Sequence, residues 1–318
     1  MAAALTERSD VRDVLADTSW QLGVGGLLVT AVSYVAIGRR FAMVDRLVGV
    51  GSGGRMLAEL GYTSTILGRV IVGGGTTSNL LRITVLGRYG IPMGDTVAAS
   101  LLHSYMNFVL VLVVFSRGLG LVLVGGGIGV AHTAGLAAAG AAVFLLISAF
   151  SAVLFVPRLR QVLIRSAVSI GRRCTGKNLV EHGERFNASV GGAVSAVQHR
   201  RSSLAAPSVL LLLEALGAIT ALWFAFAAIG VSVSPHLLVA GFGIGTAAAM
   251  ASMIPGGLGV QEGPMTGVFA LLGIDFDHAL AATVLFRVIY FFVPFAVSLF
   301  FYRRLTKVPQ AAGFLAAA

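Results

Sequence analysis

Long apolar runs separated by short charged segments dominate the chain. Five of these runs are about 20 residues long, which is the length that a helix needs to cross the hydrocarbon core of a bilayer. They are Thr18–Gly38, Thr96–Ser116, Thr133–Val156, Ala205–Val231 and His278–Tyr302. Weaker apolar segments, interrupted by glycine, lie at Met56–Leu86, Leu119–Val130 and Leu237–Leu272. The pattern predicts an all-α, polytopic integral membrane protein.

Composition and charge placement support this prediction. Of the 318 residues 57% are hydrophobic and 11% are charged, whereas soluble domains carry about 25% charged residues. The net charge of +10 is concentrated beside the apolar runs, as in the cytoplasmic loops of membrane proteins. We therefore expect a plasma-membrane location and no nucleic-acid partner. The basic clusters are Arg39, Arg40 and Arg46, the segment 157–204, and Arg303, Arg304 and Lys307.

The same clusters predict how the chain is oriented. With all three clusters in the cytoplasm, the apolar segments 56–86 and 237–272 must each enter and leave the membrane on one side. Each is therefore predicted to form a re-entrant hairpin. The expected organisation is an extracytoplasmic tail at 1–17, a first transmembrane half at 18–156, a basic cytoplasmic loop at 157–204, a second half at 205–302, and a cytoplasmic C-terminal tail at 303–318.

The two halves also resemble each other in sequence. GGGTTSNLLRITVLGRYGIPMGDTVAASLL (73–102) aligns without a gap to GGLGVQEGPMTGVFALLGIDFDHALAATVL (256–285). The shared order of glycine pair, Gly-Ile turn and Ala-Ala segment predicts a duplication. Because the derived orientations of the copies are opposite, we expect two inverted-topology repeats, which in transporters place the substrate site near the bilayer midplane.

The segment IPGGLGVQEGP at Ile254–Pro264 interrupts an apolar region. Irregular backbone at membrane depth is stable only where protein or a water-filled cavity satisfies its polar groups. A helix beginning after such a turn points its free N–H groups and positive dipole end into that cavity, which suits an anionic headgroup. We therefore predict that Pro255, Gly256, Gly257 and Glu262 line a polar cavity.

This region resembles a known family. The run PGGLGVQE, followed by LLGID, AAT and LFRVIYFF, is similar to the membrane region of lysylphosphatidylglycerol synthases, and the resemblance extends over about 18–302. Members of that family are flippase-like proteins implicated in moving lipids or lipid-linked sugars between leaflets. The resemblance assigns the second motif of the family to Pro255, Gly256, Gly257, Glu262 and Arg287.

The first half carries a looser form of the motif. Arg82 is retained, Asn79 stands where the family has a glutamate, and Ser104 lies opposite Arg287. The type of substrate and the equivalence of the two halves are therefore left open at this point.

Ionisable residues within apolar segments are the sharpest candidates for a site. A charge at the bilayer centre costs about 2.5–3.5 kcal/mol on insertion scales, so it normally faces the protein interior and finds a partner. Glu262 and Arg287 form either a substrate site or a structural pair that holds the hairpin. Arg82 either joins such a site or extends to the cytoplasmic interface beside Arg88.

Three further residues each have two interpretations. Glu214, within VLLLLEALGAI, is either a proton-coupled carboxylate or a hydrogen-bonding group that fixes helix packing. His103 has a transport role or forms a helix–helix hydrogen bond. Asn79, with Thr76 and Thr77, either coordinates a headgroup or caps a half-helix.

The loop segment PRLRQVLIRSAVSIGRR places apolar residues at helical spacing among arginines. It predicts either an amphipathic helix on an anionic leaflet or a solvated basic loop.

The sequence contains no convincing motif for nucleotide binding, metal binding or nucleophilic catalysis. GVGSGG (49–54) has no preceding strand pattern, and no Walker lysine, HExxH or GxSxG sequence occurs. We therefore expect no cofactor, no metal and no enzymatic activity. The predicted function is movement of an anionic phospholipid or a glycolipid between leaflets, either passively or coupled to an ion gradient. The alternatives are a membrane-embedded lipid-modifying transferase and an accessory scaffold for a separate partner synthase.

Overall fold

The computed structural model describes residues 18–70, 74–124, 130–175, 180–199, 201–252, 257 and 259–307. These ranges are helical, with no strand among them, which confirms the all-α prediction. A 3₁₀ turn at Arg201–Leu204 precedes α8, and a π-helical turn at Val288–Phe292 joins α11 to α12. In chain order the helices are α1 (Trp20–Leu47), α2 (Gly54–Val70), α3 (Gly74–Arg88), α4 (Met93–Val124), α5 (Val130–Phe155), α6 (Pro157–Thr175), α7 (Val180–His199), α8 (Ala205–Ala228), α9 (Pro235–Ser252), α10 (Glu262–Leu271), α11 (Phe276–Arg287) and α12 (Val293–Thr306).

Length and apolar composition qualify five of the described helical stretches as membrane spans, in agreement with a polytopic membrane protein. These are Trp20–Leu47, Met93–Leu121, Ser202–Ala228, Pro235–Ser252 and Phe276–Thr306. The C-terminal part of α5 qualifies only together with α6, from which it is bent by 92°. The set adds α9, which covers the first part of the predicted hairpin 237–272 and ends at Ser252, before the Pro-Gly-Gly motif.

Both halves show the same succession of elements. A long helix is followed by two shorter helices packed against each other, α2 with α3 and α9 with α10, and then by another long helical stretch. The first predicted hairpin, 56–86, corresponds to helices that begin at Gly54 and end at Arg88. The opposite orientation of the two halves in a membrane stays a prediction.

The Gly-Ile dipeptide that the two halves share forms the same type of turn in both. Gly90 and Gly273 have φ angles of 76° and 89°, a backbone conformation that costs other residues about 1–2 kcal/mol. In both turns the amide of the following isoleucine bonds a carbonyl five residues back, at 3.1 and 3.0 Å. The next helix then starts differently in the two halves, after Pro92 in the first and after Asp275 in the second.

Close packing of α1 on α8 sets the position of the site. Gly217 lies so near Ser33 that a Cβ at Gly217 would be 1.8 Å from the Ser33 hydroxyl oxygen. The Ser33 hydroxyl donates to the backbone carbonyl of Glu214 at 3.5 Å. This close approach carries Glu214 to the side of α1 on which Arg40 lies.

Two predictions about charged segments need correction. The first apolar run was expected to end at Gly38, but α1 continues to Leu47 because residues 41–44 are apolar. Arg40, assigned to a cytoplasmic cluster, is in fact fully buried, with 0% exposure. Of the two alternatives for PRLRQVLIRSAVSIGRR, the structure has the helix: the segment 157–204 contains α6 and α7, and binding of α6 to a leaflet stays a prediction.

Candidate functional site

Six ionisable side chains from five helices form a connected group, named here the central charge cluster. Its members are Arg40 and Asp45 on α1, Arg69 on α2, Arg82 on α3, His103 on α4 and Glu214 on α8.

Glu214 forms one end of the cluster. Its Oε2 accepts a hydrogen bond from Arg40 Nη2 at 2.9 Å, and its Oε1 accepts one from Arg69 Nη2 at 2.8 Å. The Glu214 and Arg40 side chains are 6% and 1% exposed, whereas Arg69 is 30% exposed. Arg69 is thus the most accessible arginine of the cluster.

Asp45 forms the other end. Its Oδ1 accepts from Arg82 Nη2 at 2.6 Å and contacts His103 Nε2 at 3.4 Å. The other ring nitrogen of His103, Nδ1, lies 3.4 Å from Arg40 Nη1. An arginine can only donate, so Nδ1 accepts and Nε2 carries the proton toward Asp45. This assignment makes His103 a neutral bridge between the two ion-pair groups.

The cluster carries an excess of positive charge. Three arginines face two carboxylates, and the imidazole bridge is neutral, so the formal charge is one positive unit. Among the described residues no hydrogen-bond partner is present for Arg40 Nε, Arg69 Nη1 or Arg82 Nε, all of which are buried. A buried cationic group of this kind stabilises an anion that approaches it.

The Phe41 ring closes one side of the cluster. It stacks on the His103 ring with centroids 3.7 Å apart, and the guanidinium carbons of Arg40 and Arg82 lie 5.3 and 4.7 Å from its centroid. Cations over an aromatic face are attracted by its quadrupole. Phe41 therefore compensates part of the excess charge and shields His103 from solvent.

The second half contains a separate buried pair. Arg287 Nε contacts Glu262 Oε1, and Arg287 Nη2 donates to the carbonyl of Gly257 at 3.0 Å. Gly257 has a φ of 58°, and a Cβ there would come within 2.7 Å of the Ala249 Cβ. The positive φ and the lack of space for a Cβ thus both favour glycine at this position, where the backbone carbonyl faces Arg287.

The N-terminus of α10 and the aromatic ring of Phe291 surround the Glu262–Arg287 pair. Glu262 begins α10, where the helix dipole favours a negative charge. Its Oε2 is buried without a hydrogen-bond partner in the described part of the chain. The Arg287 guanidinium lies 4.2 Å from the Phe291 centroid. The carboxylate therefore retains capacity to accept a further donor.

Tyrosines connect the cluster to the α11–α12 junction. Pro294 has no N–H, so it cannot donate to the carbonyl of Tyr290 four residues earlier. The Tyr34 hydroxyl donates to that carbonyl at 2.9 Å and lies near enough to Arg69 to interact with its guanidinium group. Tyr62 donates to the Pro294 carbonyl at 2.5 Å. The tyrosines thus bond a helix at the point where proline has interrupted its own hydrogen bonding.

A groove of about 420 Å³ lies between α1, α2 and α12, and it is named here the lateral groove. It runs along α1 from Leu27 to Arg39, which is about 18 Å at the helical rise. Its walls are mostly apolar, and charged groups lie at the Arg39 end. The lining residues are Leu27, Thr30, Ala31, Tyr34, Val35, Gly38, Arg39, Ala58, Glu59, Tyr62, Val293, Pro294, Val297 and Phe301.

Tyr34 belongs to both regions. It lines the lateral groove and, through Arg69, it contacts the central charge cluster. One side chain therefore separates an apolar channel from a buried cationic group.

The predicted site residues do not form a single site. The structure brings Glu262 and Arg287 together with Gly257, and it joins Glu214, Arg82 and His103 in the central charge cluster. The roles of these residues in substrate binding stay predictions. Pro255 and Gly256 lie outside the described residues.

Two of the alternative interpretations are wrong. Arg82 does not extend to the interface beside Arg88, because its side chain is 1% exposed and paired with Asp45. Asn79 does not cap the half-helix, because α3 begins at Gly74 and Asn79 lies in its second turn, whereas a capping side chain precedes the first turn.

Sequence reasoning missed Arg40, Asp45, Arg69 and Tyr34. Arg40 and Asp45 were hidden by the assumption that the helix ends at Gly38. The run FAMV between them was the available signal, because four apolar residues between charges indicate a continuing helix. Arg69 stands alone within the apolar run ILGRVIV and belonged among the candidate buried charges on the same ground.

A metal centre has no visible basis in the described ranges, where no group of three or more His, Cys, Asp or Glu side chains is suitably placed.

Comparison with known proteins gives two matches. Residues 2–298 match the family described as the lysylphosphatidylglycerol synthase TM region. The chain is also 25% identical over 173 residues to a UPF0104 membrane protein of Methanothermobacter thermautotrophicus, a match that covers 49% of this chain and 48% of that protein. The matched region is thus about half the length of that relative. Since the family model covers nearly all of the chain, the chain belongs to the family of the lysylphosphatidylglycerol synthase transmembrane region.

Proposed function

We propose that this protein moves an anionic lipid between the two leaflets of the plasma membrane. The observation that carries the proposal is the position of Tyr34, between the apolar lateral groove and the net-positive central charge cluster. An apolar channel beside a buried cation matches the two parts of a phospholipid, its acyl chain and its phosphate.

The charge arrangement supports an anionic headgroup. Arg69 has a buried Nη1 without a partner in the described residues, and its side chain is 30% exposed. A phosphate oxygen that approached from the groove would accept from this donor and would neutralise the excess charge. Glu214 would hold Arg69 in place meanwhile, because its other oxygen is bonded to Arg40.

The second-half pair provides a further polar contact. Glu262 has an acceptor oxygen free of described hydrogen-bond partners, so it suits an amino or hydroxyl group of a headgroup. Arg287 suits a phosphate at the same place. These roles extend the substrate-binding assignment of Gly257, Glu262 and Arg287 made from the sequence.

Transport is favoured over a transferase reaction. Asp45 and His103 have the residue types of a general-base pair, but the His103 ring is 2% exposed and covered by Phe41. A general base must come within hydrogen-bonding reach of the substrate proton. His103 is therefore better explained as a fixed bridge, and Glu214 is the better candidate for coupling to a proton gradient.

A scramblase assay in proteoliposomes tests the proposal. Vesicles would contain a trace of fluorescent phosphatidylglycerol, and dithionite would bleach the outer leaflet. Without transport about half of the signal survives, because half of the label faces inward. We expect wild-type protein to remove most of this protected signal when a pH gradient is imposed, and the same assay without a gradient measures how far transport depends on it.

Two variants make the assay specific. Tyr34→Phe keeps the ring in the groove but removes the hydroxyl that meets Arg69, and we expect it to slow transport about tenfold. Tyr89→Phe, the same substitution at an exposed tyrosine that does not line the groove, serves as the matched control. Protected signal that persists in wild-type vesicles for phosphatidylglycerol, phosphatidylcholine and a glycolipid alike would refute transport by this chain alone and would favour a scaffold for a partner synthase.

A further inference from the structure

We infer that α6 lies in the plane of the membrane and docks its exposed apolar face on an anionic phospholipid surface. This inference is independent of the proposed transport activity, because it concerns a different part of the molecule.

The junction between α5 and α6 is a fixed right-angle corner. The axes of 140–155 and 157–170 meet at 92°. Arg160, 8% exposed, donates from Nη1 to the Leu154 carbonyl at the end of α5, and from Nε to Asn187 Oδ1 on α7, both at 2.8 Å. A helix at a right angle to an apolar membrane helix runs parallel to the bilayer surface.

One face of α6 packs on protein. Ile164 and Val168 approach Gly183 of α7 so closely that a Cβ at Gly183 would be 3.0 and 2.7 Å from their Cγ2 atoms. At 100° per residue these side chains lie on one side of α6. The α6–α7 contact therefore fixes which way the rest of α6 faces.

The opposite face is exposed and largely aliphatic, with Ser166 within it and Arg173 at its C-terminal end. Leu159, Val162, Leu163 and Ile170 share it by helical spacing, and their exposures are 38%, 59%, 46% and 61%. Each of these four side chains is thus more than one-third exposed in the described part of the chain. A soluble surface would gain nothing from such a row of aliphatic groups, whereas a bilayer would bury it.

Charge identifies the occupant as an anionic bilayer rather than another protein. α6 contains five arginines and no acidic residue. Arg158, Arg165 and Arg172 are spaced by seven, so they line one flank between the packed and the apolar faces. Arg165 and Arg172 also line a polar groove of about 400 Å³ between α6 and α7, where headgroup phosphates fit. Apolar residues flanked by a row of arginines are typical of helices bound to anionic leaflets.

Fluorescence quenching in lipid nanodiscs tests the inference on the full chain. In a Cys174→Ser background, bimane would be attached to Val162→Cys on the apolar face or, as a matched control, to Gln161→Cys, the preceding residue, which faces the polar groove between α6 and α7. The discs would contain phosphatidylcholine alone or mixed with phosphatidylglycerol. Iodide would report exposure to water, and phospholipid carrying a doxyl group on its acyl chain would report insertion.

We expect the label at Val162 to be quenched by the doxyl lipid and protected from iodide in the anionic discs, with Gln161 showing the reverse. Replacing Arg158, Arg165 and Arg172 by Gln should lower the preference for anionic discs by about fivefold per arginine. Iodide access at Val162 equal to that at Gln161 would overturn the inference in favour of a solvated helix. Protection from both quenchers would overturn it in favour of a protein partner, and equal insertion in both lipids would overturn the anionic preference.

Discussion

The two halves of the molecule each bury an arginine beside the predicted hairpin, but they compensate its charge differently. Arg82 in the first half is 1% exposed and paired with Asp45, which is held by His103. Arg287 in the second half relies on Glu262, 14% exposed, and on a backbone carbonyl. The first arrangement is sealed within three helices and the second is more exposed, while among the described residues both contain a buried polar atom without a hydrogen-bond partner, Arg82 Nε and Glu262 Oε2. We infer that the first half is an anchor and the second half the adjustable part.

The largest effect is expected from Asp45→Asn. This substitution removes the anion beside Arg82 and leaves a fully buried guanidinium without a counter-charge. Breaking such a pair costs about 3–5 kcal/mol. The measurement is thermal unfolding in detergent, with the fraction of protein that remains monodisperse after heating as the readout. We expect this fraction to fall at a much lower temperature than in the wild type.

The double variant Asp45→Asn with Arg82→Met is the control for this expectation. It removes both charges, so it should recover a large part of the lost stability. A double variant as unstable as Asp45→Asn alone would mean that Asp45 acts through His103 and not through Arg82.

Glu214→Gln should have the next largest effect. The Arg69 side chain is 30% exposed, so solvent screens part of the charge that Glu214 leaves behind, and the loss is smaller than for Asp45, about 1.5–3 kcal/mol. Lipid movement should be abolished because the paired arginines would separate. A variant that transports normally across a range of pH would exclude Glu214 from coupling.

The fold was largely predictable from the sequence because membrane helices need long apolar runs. The runs fixed the helical class, and the Gly-Ile turns marked two helix ends at Gly90 and Gly273. Segment boundaries were less predictable. α1 extends through Arg40 to Leu47, because distant side chains neutralise charges that would otherwise end a membrane helix.

The candidate site was only partly predictable for the same reason. Glu262 and Arg287 were paired correctly because a motif places both in one half. The partners of Glu214 come from α1 and α2, separated from it by 174 and 145 positions. No local pattern encodes such a contact, since it depends on the close approach of α1 and α8 at Gly217.

Glu262→Gln should affect transport more than stability. When the carboxylate charge is removed, the Arg287 guanidinium keeps the Gly257 carbonyl and the Phe291 ring, so the loss of stability should be smaller than for Asp45→Asn. If the second half is the adjustable part, the rate of lipid movement should fall about tenfold while the unfolding midpoint changes little. Loss of stability as large as that of Asp45→Asn would show that both halves are anchors.

The smallest effect is expected at the start of α11. The Asp275 carboxylate accepts from the amides of Asp277 and His278. The His278 ring bonds it as well, and these bonds hold the pKa of Asp275 below its usual range. A depressed pKa contributes stability above the unfolded value of about 3.9, and this contribution is lost as the pH falls through the folded-state value.

Asp275→Ala should therefore cost about 0.5 kcal/mol, at the low end for helix caps because the side chain is 62% exposed. The difference from wild type should vanish in strong acid, as measured by unfolding midpoints across a pH series. Pro92, which occupies the matching position in the first half, provides no such cap. A Pro92→Ala variant with the same acid dependence as Asp275→Ala would assign the effect to another group.

Pro294 removes one backbone hydrogen bond from the last long helical stretch, and a tyrosine on α1 replaces it. Because the Tyr34 hydroxyl on α1 donates to the Tyr290 carbonyl, which Pro294 cannot bond, the junction between α11 and α12 is tied to the position of one groove-lining ring. A chain entering the lateral groove must push against that ring. A displacement of that ring would therefore be passed directly to the junction between α11 and α12.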